Sequence, residues 1–289
     1  MGNQCAGARE SLTDKKEKAG VLYGKVAKSA KKKYSYARLK VKGYKFNYNT
    51  DDSETQKITL MENNLAICSV AIDDFERRLQ DFYLREKTNK MTIQQVVDTF
   101  KDNQFLDDIE DENSVSRKIL THKLLQNTKN IIYLPYLRLV GILYCAATPK
   151  LKAESFYSVI KPNELDSKET AEKVTDIQKS EVLIPEYFEK MLEIAYVMMI
   201  DIYGKSEGGE DKSNWLIDEL EDIYKLIYEK FQLDVFGTDQ DKLTQELFTA
   251  QFEKDNARYL VPANLRKQVF TQVVDIVFSK TSPGKKRAE

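Results

Sequence analysis

The amino-terminal residues Met-Gly-Asn-Gln-Cys place two groups that can be acylated close together. After removal of Met1, the amine of Gly2 can accept myristate, because the acyltransferase requires a glycine without a side chain there. Cys5 lies three residues further on, where a myristoylated chain would hold its thiol at the membrane surface for S-palmitoylation. Ala6 departs from the Ser or Thr preferred at its position. The residue pattern therefore predicts lipidation at Gly2 and Cys5.

A basic arm follows this leader. Residues 1–45 contain thirteen Lys and Arg and three acidic residues, a net charge of +10, although the whole chain carries only −1. One myristoyl chain binds a bilayer marginally, whereas a second chain or a basic patch makes the anchor stable. Each cation near an anionic leaflet adds about 1 kcal/mol. The cations expected to contact the inner leaflet are Lys15, Lys16, Lys18, Lys25, Lys28, Lys31, Lys32, Lys33, Arg38, Lys40, Lys42 and Lys45.

Residues typical of catalysis are scarce. The single histidine, His122, excludes multi-histidine metal sites and is expected to be a surface or structural residue and not a catalytic one. The acidic run 107–112 is expected to be a solvated loop, because adjacent carboxylates repel and do not face one another on a helix. No phosphate-binding, dinucleotide-binding, serine-hydrolase or zinc-protease motif occurs. We therefore expect a protein that is not an enzyme and has no resident cofactor.

The three cysteines, Cys5, Cys68 and Cys145, form neither a disulfide framework nor a zinc pattern. Such usage is typical of a reducing intracellular compartment. Cys68 and Cys145 lie in apolar stretches and are expected to be buried. The longest apolar stretch, 131–147, is shorter than a membrane span needs and contains a central arginine, so it predicts a buried helix.

The elements that would carry these groups are mainly helical. Of 289 residues, 42% are apolar, and helical periodicity dominates from Asp51 onward. Pro135, Pro185 and Pro262 are expected to begin helices, and Thr92, Asn214 and Thr238 to cap them. The predicted helices are 60–67, 70–86, 92–101, 115–127, 135–146, 150–160, 168–179, 185–203, 213–231, 240–253 and 262–280.

The chain divides by composition into five segments. They are a basic, mobile lipid-anchoring arm (1–48), a helical body (49–204), a flexible linker (205–212), a C-terminal helical unit (213–280) and a basic tail (281–289). Within the arm, residues 34–48 alternate apolar and basic side chains, which fits either a short β-hairpin or a segment at the lipid interface.

A degenerate repeat runs through the body and the C-terminal unit. In four places an amphipathic helix is followed by a short loop, a β-prone step and a second helix, with Ile93, Leu134, Ile184 and Val261 at the β-prone position. Helix, loop, one β-like residue and helix is the layout of an EF-hand, in which that residue pairs with its neighbour's. Residues 65–280 thus resemble a degenerate EF-hand protein, similar to calcineurin-B-like and neuronal-calcium-sensor-like proteins, many of which are myristoylated. An ordinary helical bundle with proline-started helices is the alternative.

The calcium pattern of EF-hands is absent. A calcium loop requires oxygen ligands at its first, third, fifth and twelfth positions and a glycine at the sixth. With Ile93 or Ile184 at the eighth position, the first position is Glu86 or Ile177 and the last is Val97 or Phe188. We expect these loops not to bind calcium, with calcium sensing retained as an alternative function.

The predicted helix 213–231 has two interpretations. Leu220, Ile223 and Ile227 form an apolar stripe, and Trp215 lies near the start of the helix. The stripe either packs in the core or docks against a partner protein, with Trp215 as the anchor.

The sequence as a whole predicts an all-α array of degenerate EF-hand-like helix pairs. Its expected function is that of a membrane-anchored adaptor or regulatory protein, peripheral on the cytoplasmic face of the plasma or ciliary membrane. It would bind another protein through a helical groove and would not bind nucleic acid. The alternatives are a calcium sensor and a cytoskeletal or ciliary structural protein whose basic arm contacts tubulin. The leader itself resembles the dual-acylation leader of membrane-tethered signalling proteins such as calcium-dependent protein kinases.

Overall fold

The structure is a computed structural model that describes residues 53–128, 130–161, 176–179, 183–205, 220–253 and 255–281. The acylation sites, the basic arm with its predicted hairpin, and nearly all of the basic tail and of the predicted linker lie outside these residues. The described residues are mostly helical, as predicted, with two small antiparallel sheets.

Between residues 53 and 144 the structure describes six helices and three short strands. They are α1 (Ser53–Asn63), α2 (Ile72–Glu86), β1 (Lys90–Thr92), α3 (Ile93–Thr99), α4 (Gln104–Glu110), α5 (Val115–Thr121), β2 (Gln126–Thr128), β3 (Ile131–Tyr133) and α6 (Leu134–Tyr144). A 3-10 turn, Ala66–Ser69, joins α1 to α2.

The later elements continue the alternation of helices and short strands. They are α7 (Pro149–Ile160), β4 (Asp176–Gln178), α8 (Leu183–Glu193), α9 (Met199–Gly204), α10 (Leu220–Phe236), β5 (Lys242–Thr244), α11 (Gln245–Ala250) and α12 (Pro262–Thr281). A π-helical stretch, Ile194–Met198, joins α8 to α9. A 3-10 turn, Asp255–Leu260, precedes α12.

The strands pair helix–loop–strand–helix units with one another. In the first sheet β3 lies between β1 and β2, with Met91 opposite Ile132. In the second sheet β4 pairs with β5, with Ile177 opposite Leu243. The four central residues are buried, so each pairing joins two units through an apolar contact.

The sequence-based prediction of which residues pair between the units is wrong. Ile93 and Leu134 lie two residues too far along and begin α3 and α6. Ile184 lies inside α8, and Val261 lies between the 3-10 turn and α12. Helix-start signals are stronger in the sequence than strands of three residues, which are too short to show a period of their own.

Several helix boundaries are confirmed closely. The structure has helices over 72–86, 134–144, 149–160 and 262–281, against predictions of 70–86, 135–146, 150–160 and 262–280. Thr92 caps α3 as predicted, and its hydroxyl accepts a hydrogen bond from the Gln95 backbone amide at 3.1 Å.

Other helix predictions are wrong in part. The helix predicted at 115–127 ends at Thr121 and gives way to β2. The predictions 168–179 and 240–253 contain β4 and β5, and the predicted cap Thr238 precedes β5. The helix cap there is Thr244, whose hydroxyl accepts from the Leu247 amide.

The predicted acidic loop at 107–112 is also wrong, because α4 covers its first part. Asn103 caps this helix, and its side-chain oxygen accepts a hydrogen bond from the Phe105 backbone amide. Asp108 accepts from the Ala66 backbone amide at 2.9 Å and from the Ser116 hydroxyl at 3.2 Å. These tertiary partners give a carboxylate of the acidic run a structural role in place of simple solvation.

An aromatic cluster holds the first sheet's helices together. Phe75, Phe100 and Phe105 are buried, with ring centroids 5.0 Å apart for Phe75 and Phe100 and 5.3 Å for Phe100 and Phe105. Gly141 of α6 faces the Phe75 ring so closely that a Cβ on it would lie 2.4 Å from a ring carbon. The close approach of α2 and α6 therefore requires glycine at this position.

A second cluster joins α8, α10 and the turn before α12. The Phe188 and Phe231 rings stack with centroids 4.3 Å apart, and Tyr259 meets Phe231 edge-on at 5.2 Å. Burying each such side chain contributes about 1.5–3 kcal/mol. This packing fixes α10 against α8 and orients its outer face.

A buried junction of polar groups crosses the core. Arg266 donates from its two terminal nitrogens to the two carboxylate oxygens of Glu62 at 2.7 and 2.8 Å. It also donates to the Thr59 hydroxyl at 2.9 Å and the Ala195 carbonyl at 3.0 Å. The Tyr144 hydroxyl donates to Glu62 at 2.9 Å. The junction therefore ties α1, α6, the π-helical stretch and α12 together.

Candidate partner-binding groove

An open groove lies between α10 and α12 and has a volume of about 500 Å³. We call it the α10–α12 groove. Its residues come from three elements: Leu226, Ile227 and Lys230 from α10, Arg258 from the 3-10 turn, and Asn264, Lys267, Gln268, Thr271 and Gln272 from α12. One wall is therefore apolar and basic, and the other carries mainly amides and a hydroxyl.

The α10 wall follows from how that helix packs. Ile223, Ile227 and Phe231 recur at every fourth residue and turn into the core, where each is at most 5% exposed. Leu226 lies on the neighbouring face and is 55% exposed, as is Leu233 seven residues later. Spacing of seven residues places both leucines on one side of the helix. Helix α10 is therefore buried along one stripe and carries two exposed leucines on a neighbouring face.

Three cations surround the groove, and no described residue that lines it is acidic. Lys230 and Lys267 are exposed. Arg258 donates to Asp234 at 2.6 Å, so its charge is partly neutralised. Hydrogen bonding with Tyr259 and Asp234 raises the pKa of Arg258, which keeps it a cation. The groove therefore presents apolar surface within a positive rim.

The predicted partner-binding residues have different positions. Ile227 lines the groove, whereas Ile223 is fully buried and lies in the core, the other interpretation of its stripe. Leu220 is the first residue of α10 and is half-buried. Trp215 lies outside the described residues. The sequence analysis missed Leu226, Lys230, Arg258 and Lys267, although the repeat of exposed leucines at 226 and 233 was a usable signal.

A second, smaller cavity of about 200 Å³ lies among α2, α6, α7 and α8. Tyr83, Tyr133, Tyr187, Arg138 and Lys161 are among its residues. Arg138 already donates to Glu76 at 2.7 Å and to the Ser158 hydroxyl at 2.9 Å. With its arginine engaged by a carboxylate, this cavity retains one lysine, Lys161, whereas the groove retains Lys230 and Lys267.

The histidine has a structural environment. His122 is buried, and its Nδ1 accepts from the Leu124 amide at 3.3 Å, so Nε2 donates to Asp201 at 3.1 Å. Lys205 donates to the same Asp201 oxygen at 2.7 Å. Burial lowers the pKa of His122. These contacts join the end of α5 to α9.

The other buried reactive groups also hold the fold. Lys152 donates to the Leu143 carbonyl at 2.8 Å, near the end of α6, and burial lowers its pKa to about 8. The thiols of Cys68 and Cys145 are buried, as predicted, and burial raises the pKa of Cys145. Within the described ranges no group of three or more His, Cys, Asp or Glu side chains could hold a metal ion.

None of the described helices is long and apolar enough to cross a membrane. The buried helix predicted within 131–147 is α6, most of whose residues are buried. No protein-family model, no curated protein and no solved structure shows a significant match to this chain.

Proposed function

We propose that this chain is a membrane-tethered adaptor without catalytic activity, which binds a helical segment of a partner protein in the α10–α12 groove. The observation that carries this proposal is the groove itself, in which the 55% exposed Leu226 adjoins Ile227 on one side of a large opening. An exposed apolar patch rimmed by polar residues is typical of a protein interaction site. A helix lying in such a groove would cover apolar area that is otherwise in water.

We further propose that the body is a scaffold of degenerate EF-hand-like pairs. The proposal is supported by strands that follow one helix and precede another, and that pair two by two through Met91 with Ile132 and Ile177 with Leu243. Between Lys161 and α8 only β4 and the residue after it are described. The residues that pair, Met91 with Ile132 and Ile177 with Leu243, support this layout. The residues predicted from the sequence to pair lie in or beside helices instead.

The chemistry of two loops favours a scaffold over a calcium sensor. With Met91 as the eighth loop residue the first position is Leu84, and with Leu243 it is Phe236. Calcium takes oxygen ligands, and the first position of the loop supplies one of them. Hydrocarbon side chains there would leave the ion without that ligand.

The tether is proposed to consist of the acyl groups on Gly2 and Cys5 together with the basic arm. Flotation of membranes from cells that express the wild-type chain, Gly2→Ala or Cys5→Ser tests it. The wild-type chain should float with the membranes, and Gly2→Ala, which lacks the myristate, should become largely soluble. Cys5→Ser keeps the myristate and the basic arm and should therefore float in part. A Gly2→Ala chain that floats like the wild type would exclude the acyl tether and favour a polymeric partner of the basic arm.

Partner binding is tested separately from the tether. Proximity labelling in cells should compare the wild-type chain with Leu226→Asp and with Leu84→Asp. Leu84 is a matched control because it is 50% exposed and lies outside the groove. We expect a set of labelled proteins that is lost in Leu226→Asp and kept in Leu84→Asp. Equal labelling by all three chains would contradict a role for the groove.

A further inference from the structure

We infer that the segment held in the α10–α12 groove is an acidic amphipathic helix. This inference rests on the proposed function, since it specifies the partner of the same groove. Its basis is the combination of the exposed Leu226 on the α10 wall, a rim of three cations and an opposite wall of mainly uncharged polar side chains.

The charge distribution selects an acidic partner. Lys230, Arg258 and Lys267 reach the groove from three different elements, while no carboxylate is among its described residues. Asp234 neutralises part of the Arg258 charge, which leaves Lys230 and Lys267 as the exposed cations. Residues 46–279 carry a net charge of −14, so a cationic rim is unusual for this part of the chain. Complementary charge at an interface mainly sets specificity and association rate.

The dimensions of the groove suit a short helix. On the α12 side the residues run from Asn264 to Gln272, a rise of about 12 Å. That length matches about two turns of a partner helix lying along the groove. Apolar residues at spacings of three and four would then meet Leu226 and Ile227, with acidic residues on the flanks near Lys230 and Lys267.

The polar wall favours a peptide over a lipid headgroup. Asn264, Gln268, Thr271 and Gln272 lie on α12 at spacings of four, three and one. Their amides and hydroxyl can donate and accept hydrogen bonds along the length of a polar partner. The Gln268 amide and the Thr271 hydroxyl already donate to the Asn264 and Lys267 carbonyls, but an acyl chain in the groove would still remove the polar groups of this wall from water, which costs free energy.

The test selects helices that bind the full-length chain. A display library of amphipathic helices keeps leucine at positions i, i+4 and i+7 and randomises the remaining positions. We expect the recovered helices to contain more Asp and Glu than Lys and Arg. Their binding should weaken about tenfold or more at low ionic strength in Lys230→Glu/Lys267→Glu, because two attractive contacts become repulsive.

The matched control is Lys225→Glu/Lys242→Glu. It makes the same change in charge at two exposed lysines outside the groove and should keep wild-type affinity. Leu226→Asp should abolish binding of the recovered helices. Circular dichroism of each variant, read alongside, separates lost binding from lost folding.

The outcomes separate this inference from the proposed function. Recovered helices that need Leu226 but are neutral or basic would overturn the inference and leave groove docking intact. Failure to recover any helix that depends on Leu226 would overturn both. Binding of phosphatidylserine vesicles by the Gly2→Ala chain that depends on Lys230 and Lys267, without selection of acidic helices, would assign the rim to lipid and overturn the inference.

Discussion

Two neighbouring cations on α12 lie in opposite environments. Arg266 is fully buried in the junction with Glu62, and Lys267 is exposed at the α10–α12 groove. The buried charge is held by four hydrogen bonds to the Glu62 carboxylate, Thr59 and Ala195. The exposed charge forms part of a positive rim. Adjacent residues of one helix can therefore divide its roles, one fixing its position and the other leaving a surface for a ligand.

Breaking the buried junction should have the largest effect on stability. Arg266→Met leaves the Glu62 carboxylate buried without its cation and should lower the free energy of unfolding by about 3–5 kcal/mol. Urea unfolding of the full chain, followed by far-UV circular dichroism, measures it.

The matched control for this variant is Lys267→Met, which should change the free energy of unfolding by no more than about 0.5 kcal/mol. A double variant, Glu62→Leu/Arg266→Met, should recover part of the loss because it removes both buried charges. If Arg266→Met and Lys267→Met lowered the free energy of unfolding by similar amounts, the contrast between a buried Arg266 and an exposed Lys267 would be contradicted.

Crowding the core should have a smaller effect. Gly141→Ala places a methyl group against the Phe75 ring and should lower the free energy of unfolding by about 1–3 kcal/mol. Chemical unfolding again gives the value. Gly204→Ala, at the exposed end of α9, serves as the control and should be nearly neutral. A neutral Gly141→Ala would show that α2 and α6 are not in close contact.

The His122 contact predicts a pH dependence. Burial lowers the pKa of His122 in the folded state, so the unfolded state binds more protons as the pH falls. Its contribution to stability is therefore present above the unfolded pKa of about 6.5 and is lost as the pH falls through the folded value. The slope it adds cannot exceed about 1.4 kcal/mol per pH unit.

Urea unfolding at several pH values measures this slope. The wild-type chain should lose stability between about pH 7 and pH 5 more steeply than His122→Asn, since only the wild type takes up this proton on unfolding. If the unfolding free energies of the two chains changed with pH in parallel, His122 would not contribute to the pH dependence of stability.

Changes in the groove should have the smallest effect on stability. Leu226→Asp alters a side chain that is already 55% exposed and should shift the unfolding free energy by no more than about 0.5 kcal/mol. Binding of the recovered acidic helices should nevertheless be lost. Titration of the labelled helix gives the affinity, and urea unfolding gives the stability of the same preparation. A variant that loses both would make Leu226 a structural residue.

Local signals in the sequence predicted the long, well-marked helices. The helix predicted at 135–146 is α6, and Thr92 caps α3 as predicted, because its hydroxyl accepts a hydrogen bond from the Gln95 backbone amide. The strands β4 and β5 were missed because three residues cannot display a period of two over a useful length. The π-helical stretch 194–198 has no local signal, and its Ala195 carbonyl meets an arginine 71 residues away.

The candidate groove could be predicted only in part. The inward stripe of α10 was found from periodicity, and Ile227 of that stripe does reach the groove. The opposite wall comes from α12, and Arg258 comes from the turn before it. Which helix lies beside α10 depends on packing between residues far apart in the chain, such as Phe188 with Phe231 and Glu62 with Arg266. Periodicity within one helix carries no information about that neighbour.

The most direct test of the adaptor function is photo-crosslinking in cells from position 226, with position 84 as the control. A photoreactive amino acid replaces one leucine or the other in the full-length chain, and membranes are floated after irradiation. We expect a discrete adduct with a partner protein from position 226, which floats with the membranes, and no such adduct from position 84. Adducts that are the same from both positions, or none from position 226, would contradict this expectation.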